Sequence, residues 1–175
     1  MKIIMHTIHQ YDVSIFLWVT ERKTRHILVR LARLVSRMAD GPLYGMLALT
    51  LVYSGQEPQL TLLKCLLLGF VMERPLYWVT KNVCRRNRPQ AALNIPSFVI
   101  PSDRFSFPSG HTSAAFLVTT LVSAFYPALG PLLFPWAIMV GMARVILGVH
   151  FPTDTLIGAL MGSGLAFFSL EYLLK

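Results

Sequence analysis

Residues 107–126 read FPSGHTSAAFLVTTLVSAFY. A polar head, Pro108-Ser109-Gly110-His111-Thr112, passes directly into an apolar segment that stops at Tyr126, before Pro127. From Ser109 to Tyr126 it comes close to the roughly 20 helical residues that cross a hydrocarbon core. The first turn of a helix leaves its backbone N–H groups without intrahelical partners, so polar chemistry at that end has donors to work with. The stretch reads as a membrane helix whose start belongs to a site.

Four more apolar segments flank it. Leu132 to about Val149 and Thr155 to Leu174 follow; Leu60 to Thr80 and Ala39 to Ser54 precede. The Leu60 segment carries Lys64, Glu73 and Arg74, which are costly at bilayer depth unless they face protein or an interface. Its Pro75 is expected to kink the end. The Ala39 segment opens on a turn signal, Asp40-Gly41-Pro42, and is short for a span. In the last segment Gly158 and Gly162, with Ala159 and Ser163 beside them, repeat small residues every fourth position, the spacing that lets helices approach closely in lipid. The expected fold is all-α, an integral-membrane bundle of about five transmembrane helices. It forms one domain over residues 1–175, with 1–38 an amphipathic N-terminal segment and 39–175 the helical core.

Composition agrees. Of 175 residues, 54% are hydrophobic and 14% charged, with mean hydropathy +0.56. So apolar a chain is not disordered. Its two cysteines, Cys65 and Cys84, would lie roughly 28 Å apart along a helix, too far for a disulfide. The start shows no charged, apolar and small-residue sequence of a cleaved signal peptide, so insertion is expected to use internal segments. Sixteen Lys+Arg against eight Asp+Glu give +8. In a soluble protein that excess would suggest nucleic acid. Here the charges border apolar segments, and the expected partners are the lipid bilayer and a phosphate, not nucleic acid. Oligomeric state is not legible.

Before the spans, Ile27, Leu28, Leu31, Leu34, Val35 and Met38 recur with helical period while Arg30, Arg33 and Arg37 take another face. This reads as an amphipathic helix in the headgroup region. Asp12 to Val19 reads as a second one, with Trp18 at headgroup depth. Loops 55–59 and 127–131 are short and lack Lys and Arg, which assigns them to one membrane side. Residues 81–108, 150–154 and the N-terminus fall on the other. Every unusual polar cluster thus meets at one face, the mark of a site.

Three clusters share that face. Lys81 to Pro89 (KNVCRRNRP) alone could be a basic run that binds anionic lipid. Ser109, Gly110 and His111 open a helix, offering a hydroxyl, free N–H groups and close backbone approach, the elements of an anion cradle. Arg144 and His150 are six residues apart, about 240° around a helix, so they can face one ligand only if the helix ends between them. Gly148 and Pro152 make that break. Asp154 can then orient one ring nitrogen of His150 and raise the nucleophilicity of the other. The inventory suits phosphoryl transfer. Cations and fixed donors stabilise charge on the phosphoryl oxygens, while one histidine attacks and another moves the leaving-group proton. No cofactor and no metal are expected, since the cations serve, and no zinc motif occurs.

Lys81-x6-Arg88-Pro89, Pro108-Ser109-Gly110-His111 and Arg144-x5-His150-x3-Asp154 together resemble the three-part signature of type 2 phosphatidic acid phosphatases, the PAP2 family, whose helical core is shared with vanadium haloperoxidases. The departure is Ala143, where the family usually has Ser. The resemblance implies that His150 is the nucleophile and forms a phosphohistidine. Asp154 would be its orienting partner and His111 the general acid and base. Lys81, Arg88, Ser109, Gly110 and Arg144 would hold the phosphate.

The implied substrate is a lipid phosphate or pyrophosphate. With little material for a headgroup pocket, undecaprenyl pyrophosphate ranks ahead of phosphatidylglycerophosphate and phosphatidic acid, with Arg85, Arg86 and Arg104 expected to meet the second phosphate. The competing readings are a lipid-headgroup-binding transporter or scaffold and a vanadate haloperoxidase; several apolar spans argue against the latter. The resemblance implies a bacterial plasma (inner) membrane location with the site on the outer, periplasmic face. Arg22, Lys23, Arg25, Arg30, Arg33 and Arg37 pull the other way under the positive-inside rule.

Overall fold

The computed structural model describes residues 2–20, 25–95, 97–101 and 103–175. Arg22 and Lys23, which bear on orientation, lie outside the described residues, as does the side chain of Arg25. Among the described residues the regular structure is all helical, with a non-helical connection over residues 93–109, one isolated bridge, Asn87 to Phe105, and no strand.

The helices are α1 (Lys2–Thr20), α2 (Arg25–Met38), α3 (Gly41–Ser54), α4 (Glu57–Cys84), the short α5 (Pro89–Ala92), α6 (Gly110–Phe125), α7 (Gly130–Ile146) and α8 (Pro152–Leu174), with a 3₁₀ turn at Pro127–Leu129. Each apolar segment becomes one helix from α3 onward. A two-residue turn joins α3 to α4, with Gly55 at φ +64°, where a side chain would be strained. Helix α4 continues through Pro75 for a further nine residues to Cys84, so Lys81 sits on its last turn rather than beyond it. Two stretches, Pro127–Ile146 and Pro152–Leu174, are long and apolar enough to cross a membrane by length and composition.

Large apolar side chains point outward along the bundle, among them Leu49 and Tyr53 of α3, Val71 and Trp78 of α4, Leu132 of α7 and Phe167 of α8. Leu62, Cys65, Leu117, Leu121 and Ala166 form a core between α4, α6 and α8 at the end away from the polar clusters. There Ser169 Oγ donates to the Cys65 carbonyl at 2.7 Å. Glu73 is fully buried and pairs with its neighbour Arg74, so its charge faces protein, as its position in an apolar helix requires.

The N-terminal helices do more than the sequence suggests. Helix α2 packs along α7, with Val29 and Ala32 against Ala143, Leu147 and Val149. Ile27, Leu31, Leu34 and Met38 form its outward apolar stripe. Helix α1 extends well beyond Asp12–Val19 in the N-terminal direction, and docks through Phe16, whose ring meets Phe151 edge-on at 5.8 Å.

The tightest contact in the bundle is between α6 and α8. A Cβ at Gly158 would fall 2.6 Å from the Ser109 carbonyl oxygen, and one at Gly162 would fall 2.1 Å from that of Ser113. Only glycine allows this approach, which is the packing role the small-residue repeat suggests. Gly164, two residues on, faces open space. Gly162→Ala should therefore lower the apparent melting temperature in detergent and reduce activity, overpacking costing about 1–3 kcal/mol. Gly164→Ala should leave both unchanged. Equal tolerance of the two would contradict the close approach.

Candidate active site

The chain turns so that the end of α4, the start of α6 and the α7–α8 turn meet at one end of the bundle. Helix α7 ends at Ile146 and Gly148 adopts φ +79°, so the chain reverses before His150. This is the helix break that brings Arg144 and His150 toward a common space. Asp154 lies on the first turn of α8, where its Oδ2 accepts the Phe151 N–H at 2.8 Å. Its backbone carbonyl accepts the Ser109 N–H at 3.0 Å. The α6–α8 contact thus ties the start of one helix directly to the other.

His150 is 2% exposed. Arg88 Nη1 lies 3.4 Å from its Nε2 and donates to the Val149 carbonyl at 2.8 Å. Its Nδ1 is 3.7 Å from Asp154 Oδ2. That is longer than a hydrogen bond, so the expected Asp154–His150 bond is a near approach here, and His150 Nδ1 has no bonded partner among the described residues. Asp154 Oδ2 is committed to Phe151 N–H instead.

Lys81 and Arg88 converge on one oxygen. Lys81 Nζ and Arg88 Nη2 each donate to Asp103 Oδ1 at 2.6 Å, and Tyr77 OH donates to Oδ2 at 2.6 Å. Arg88 Nε adds a bond to the Asp103 carbonyl at 3.0 Å, and Lys81 one to the Phe105 carbonyl at 3.0 Å. Burial alone would raise the Asp103 carboxyl, but the bonds from Lys81 and Tyr77, the Lys81 charge and the Arg88 bond outweigh it and hold it at about 2.

Ser109 caps α6 and is fully buried, its hydroxyl paired with Thr112 at 2.9 Å. The first bond within α6 runs from Ser113 N–H to the Ser109 carbonyl at 3.0 Å, leaving the N–H groups of residues 110–112 ahead of it. Gly110 is pressed against Tyr77, where a Cβ would meet the ring at 2.9 Å. His111 turns the other way, its Nε2 2.9 Å from Asp40 Oδ1.

A polar cleft of about 530 Å³ brings His111 and Arg144 together with Arg33, Ser36, Arg37 and Asp40. Arg144 Nη1 donates to Ser36 Oγ at 2.7 Å. Its Nε is a buried donor with no partner among the described residues. Ala143 packs against α2, away from this cleft.

Sequence reasoning missed Asp103, Tyr77, Asp40, Ser36, Asp12 and the cleft role of Arg33 and Arg37. The arginines expected to meet a second phosphate, Arg85, Arg86 and Arg104, have other partners in this structure. Arg86 bonds Asp154 and Asp12, Arg85 donates to the Asn82 carbonyl, and the Arg104 guanidinium lies over Phe105.

Residues 58–175 match the PAP2 superfamily. The chain belongs to that family. It is 34% identical over 114 residues to the undecaprenyl-diphosphatase of Sulfolobus acidocaldarius, the match covering 61% of this chain and 52% of that protein. The crystal structure of Aquifex aeolicus LpxE superposes with TM-score 0.80 at 28% identity, covering 91% of this chain and 94% of that one. The Bacillus subtilis PAP2-type phosphatidylglycerolphosphate phosphatase gives TM-score 0.76 at 25% identity, with 95% and 86% covered. The chain spans about half the length of the curated relatives it matches.

His150 is held well below the ordinary histidine value, at about 4. Burial is the main cause, the nearby Asp154 opposes it, and Arg144 and Arg88 add to the lowering. The ring is therefore neutral above that value and gains its proton only as pH falls through it. An NMR titration of histidine-labelled protein in detergent should show one ring with a midpoint near 4, absent from His150→Gln. A midpoint at the ordinary value of about 6.5 would show that Asp154 fully offsets burial and the neighbouring cations.

Proposed function

We propose that the protein is a metal-independent lipid phosphatase in which His150 attacks phosphorus and carries the phosphoryl group as a phosphohistidine. The carrying observation is that Lys81 and Arg88 converge on a single anionic oxygen, Asp103 Oδ1, beside the His150 ring. Two cations arranged around one anionic oxygen next to a neutral imidazole form a phosphate site with a nucleophile at its edge.

In the first step the Nε2 lone pair of His150 forms the N–P bond while the P–O bond to the leaving group breaks. His111 supplies the proton to the departing oxygen. In the second step His111 takes a proton from water, whose oxygen attacks phosphorus and releases His150. Lys81, Arg88, Arg144, the Ser109 hydroxyl and the Gly110 N–H hold the phosphoryl oxygens as charge develops. Neutral His150 is the form that can attack, and its burial keeps it so at physiological pH.

The protein sits in a membrane with about five spans, α3, α4, α6, α7 and α8, and with α1 and α2 at the site end. The outward apolar side chains of these helices support this reading. So does the placement of both short, uncharged turns at the opposite end. By the family resemblance the membrane is a bacterial inner membrane, with the site on the periplasmic face.

For the substrate, a polyisoprenyl pyrophosphate such as undecaprenyl pyrophosphate ranks first. An apolar groove of about 370 Å³ between α1, α6, α7 and α8 reaches Thr112, beside the phosphate site, and suits a hydrocarbon chain. The second phosphate meets Arg33 and Arg37 in the polar cleft. Phosphatidylglycerophosphate is the second reading, favoured by the structural likeness to the B. subtilis enzyme.

The test is phosphate release by purified protein from undecaprenyl pyrophosphate, phosphatidylglycerophosphate and phosphatidic acid in one detergent. The isoprenyl pyrophosphate should give the highest kcat/KM. His150→Ala should lose at least about a thousandfold with every lipid, and adding His111→Ala should cost little more, because residues that act as a unit are not additive. A glycerophospholipid preference would reverse the substrate order. Phosphate binding without release in the wild-type protein would instead favour a headgroup-binding transporter or scaffold.

A further inference from the structure

Two carboxylates outside the phosphate site share one guanidinium. Asp12 of α1 is 1% exposed and Asp154 is fully buried. Arg86 stands between them, with Nη2 donating to Asp12 Oδ2 at 2.6 Å and Nη1 to Asp154 Oδ1 at 2.9 Å. Thr153 completes the set. Its N–H donates to Asp12 Oδ1 at 2.9 Å, its hydroxyl pairs with Asp12 Oδ2, and it accepts from Arg86 Nη1 at 2.7 Å. The Arg86 guanidinium also lies 4.3 Å over the Phe151 ring, which stacks it in a fixed plane.

Burying two like charges costs several kcal/mol each unless they are compensated. Asp12, Asp154 and Arg86 together carry one net negative charge. This group stands behind a ring that becomes positive when its Nε2 takes a phosphoryl group while Nδ1 keeps its hydrogen. Asp154 Oδ1 is fixed by Arg86, and Oδ2 lies 3.7 Å from His150 Nδ1. The rotation of this carboxylate, and so its reach to His150, is set by Arg86 on one oxygen and the Phe151 N–H on the other, and the plane of Arg86 is set in turn by Asp12 and the Phe151 ring.

We propose that Asp12 and Arg86 are positioning residues for the nucleophile: they aim the Asp154 carboxylate at His150 and set how much of its charge reaches the ring. Asp12 takes half of the Arg86 fork, so Arg86 orients Asp154 without neutralising it. Helix α1 thereby belongs to the catalytic apparatus. The inference rests on the reading of His150 as nucleophile.

Kinetics of Asp12→Asn, Arg86→Met, Arg86→Lys and the double variant Asp12→Asn/Arg86→Met test it, in full-length protein with the best lipid substrate. Asp12→Asn and Arg86→Met should each lower kcat about tenfold or more, comparable to the loss when an outer partner of a metal-bound histidine is removed, with KM within about twofold. The double variant should be little worse than Arg86→Met. Arg86→Lys keeps the charge but not the fork, and should recover part of the loss.

The His150 titration separates aim from loosened structure, and it does not depend on the fraction of active protein. The charged groups facing that ring are Asp154 from α8, Arg144 from α7 and Arg88 ahead of α5, with Lys81 of α4 close to Asp154. Losing Asp12 gives Arg86 wholly to Asp154, so the His150 midpoint should fall further. Losing Arg86 frees Asp154, so the midpoint should rise. Loosened structure would move both variants toward the solvent value. Wild-type kcat in Asp12→Asn, independent losses in the double variant, or midpoints moving in the same direction would overturn the proposal. Failure of the nucleophile reading itself would show separately, as retained activity in His150→Ala.

Discussion

The closest approach in the bundle, Gly158 and Gly162 of α8 against the carbonyls of Ser109 and Ser113 on α6, fixes where every reacting group can stand. In lipid, helices gain little from apolar burial against one another, because the surrounding tails are equally apolar; close backbone packing takes its place. Here that packing sets the start of α6 beside the start of α8, close enough for Ser109 N–H to bond the Asp154 carbonyl. His111 and Asp154 are then carried on two helix starts with a fixed separation, and His150 on the short turn before one of them. Widening the α6–α8 contact would move the members of the site apart even with all of them intact.

Around this frame the polar groups are held by pairing. Lys81 and Arg88 share Asp103, Arg86 bridges Asp12 and Asp154, and His111 meets Asp40. The pairing explains how so basic an end of the molecule packs without mutual repulsion of its cations. His150 differs from these groups. It is buried, its Nδ1 faces Asp154 from beyond hydrogen-bond distance, and its environment favours the uncharged ring. On the proposed function, this neutral imidazole beside cations that hold an anionic oxygen is the attacking group.

Much of this was legible in the sequence. The apolar segments from Ala39 onward each became a helix, because long apolar runs bounded by Pro and Gly leave few other conformations. The three motifs met at one end, because uncharged turns such as Gly55-Gln56 alternate with charged connections and put all the latter on the same side. The break between Arg144 and His150 followed from 3.6-residue geometry and Gly148. What stayed hidden depends on contacts between residues far apart in the chain. Asp103 in a mixed polar loop, Asp12 in a helix that reads as interfacial and Ser36 on a helix that reads as a basic surface show no local periodicity that marks them. Arg86 sits among three arginines from 85 to 88 interrupted only by Asn87, where composition cannot say which guanidinium meets Asp103 and which meets Asp12 and Asp154. The second face of α2 was missed for a related reason. Val29, Ala32 and Ser36 are too small and mixed to register as an apolar stripe, yet they are the side that meets α7.

The central claim is that the phosphoryl group passes through His150. Rapid mixing of purified protein with lipid labelled in its terminal phosphate, quenched in alkali within one turnover, preserves a phosphohistidine for peptide mapping. The account predicts label on the peptide containing residue 150, formed no more slowly than phosphate is released and absent in His150→Ala. Label on the His111 peptide, or fast phosphate release with no labelled protein at any time, would contradict it.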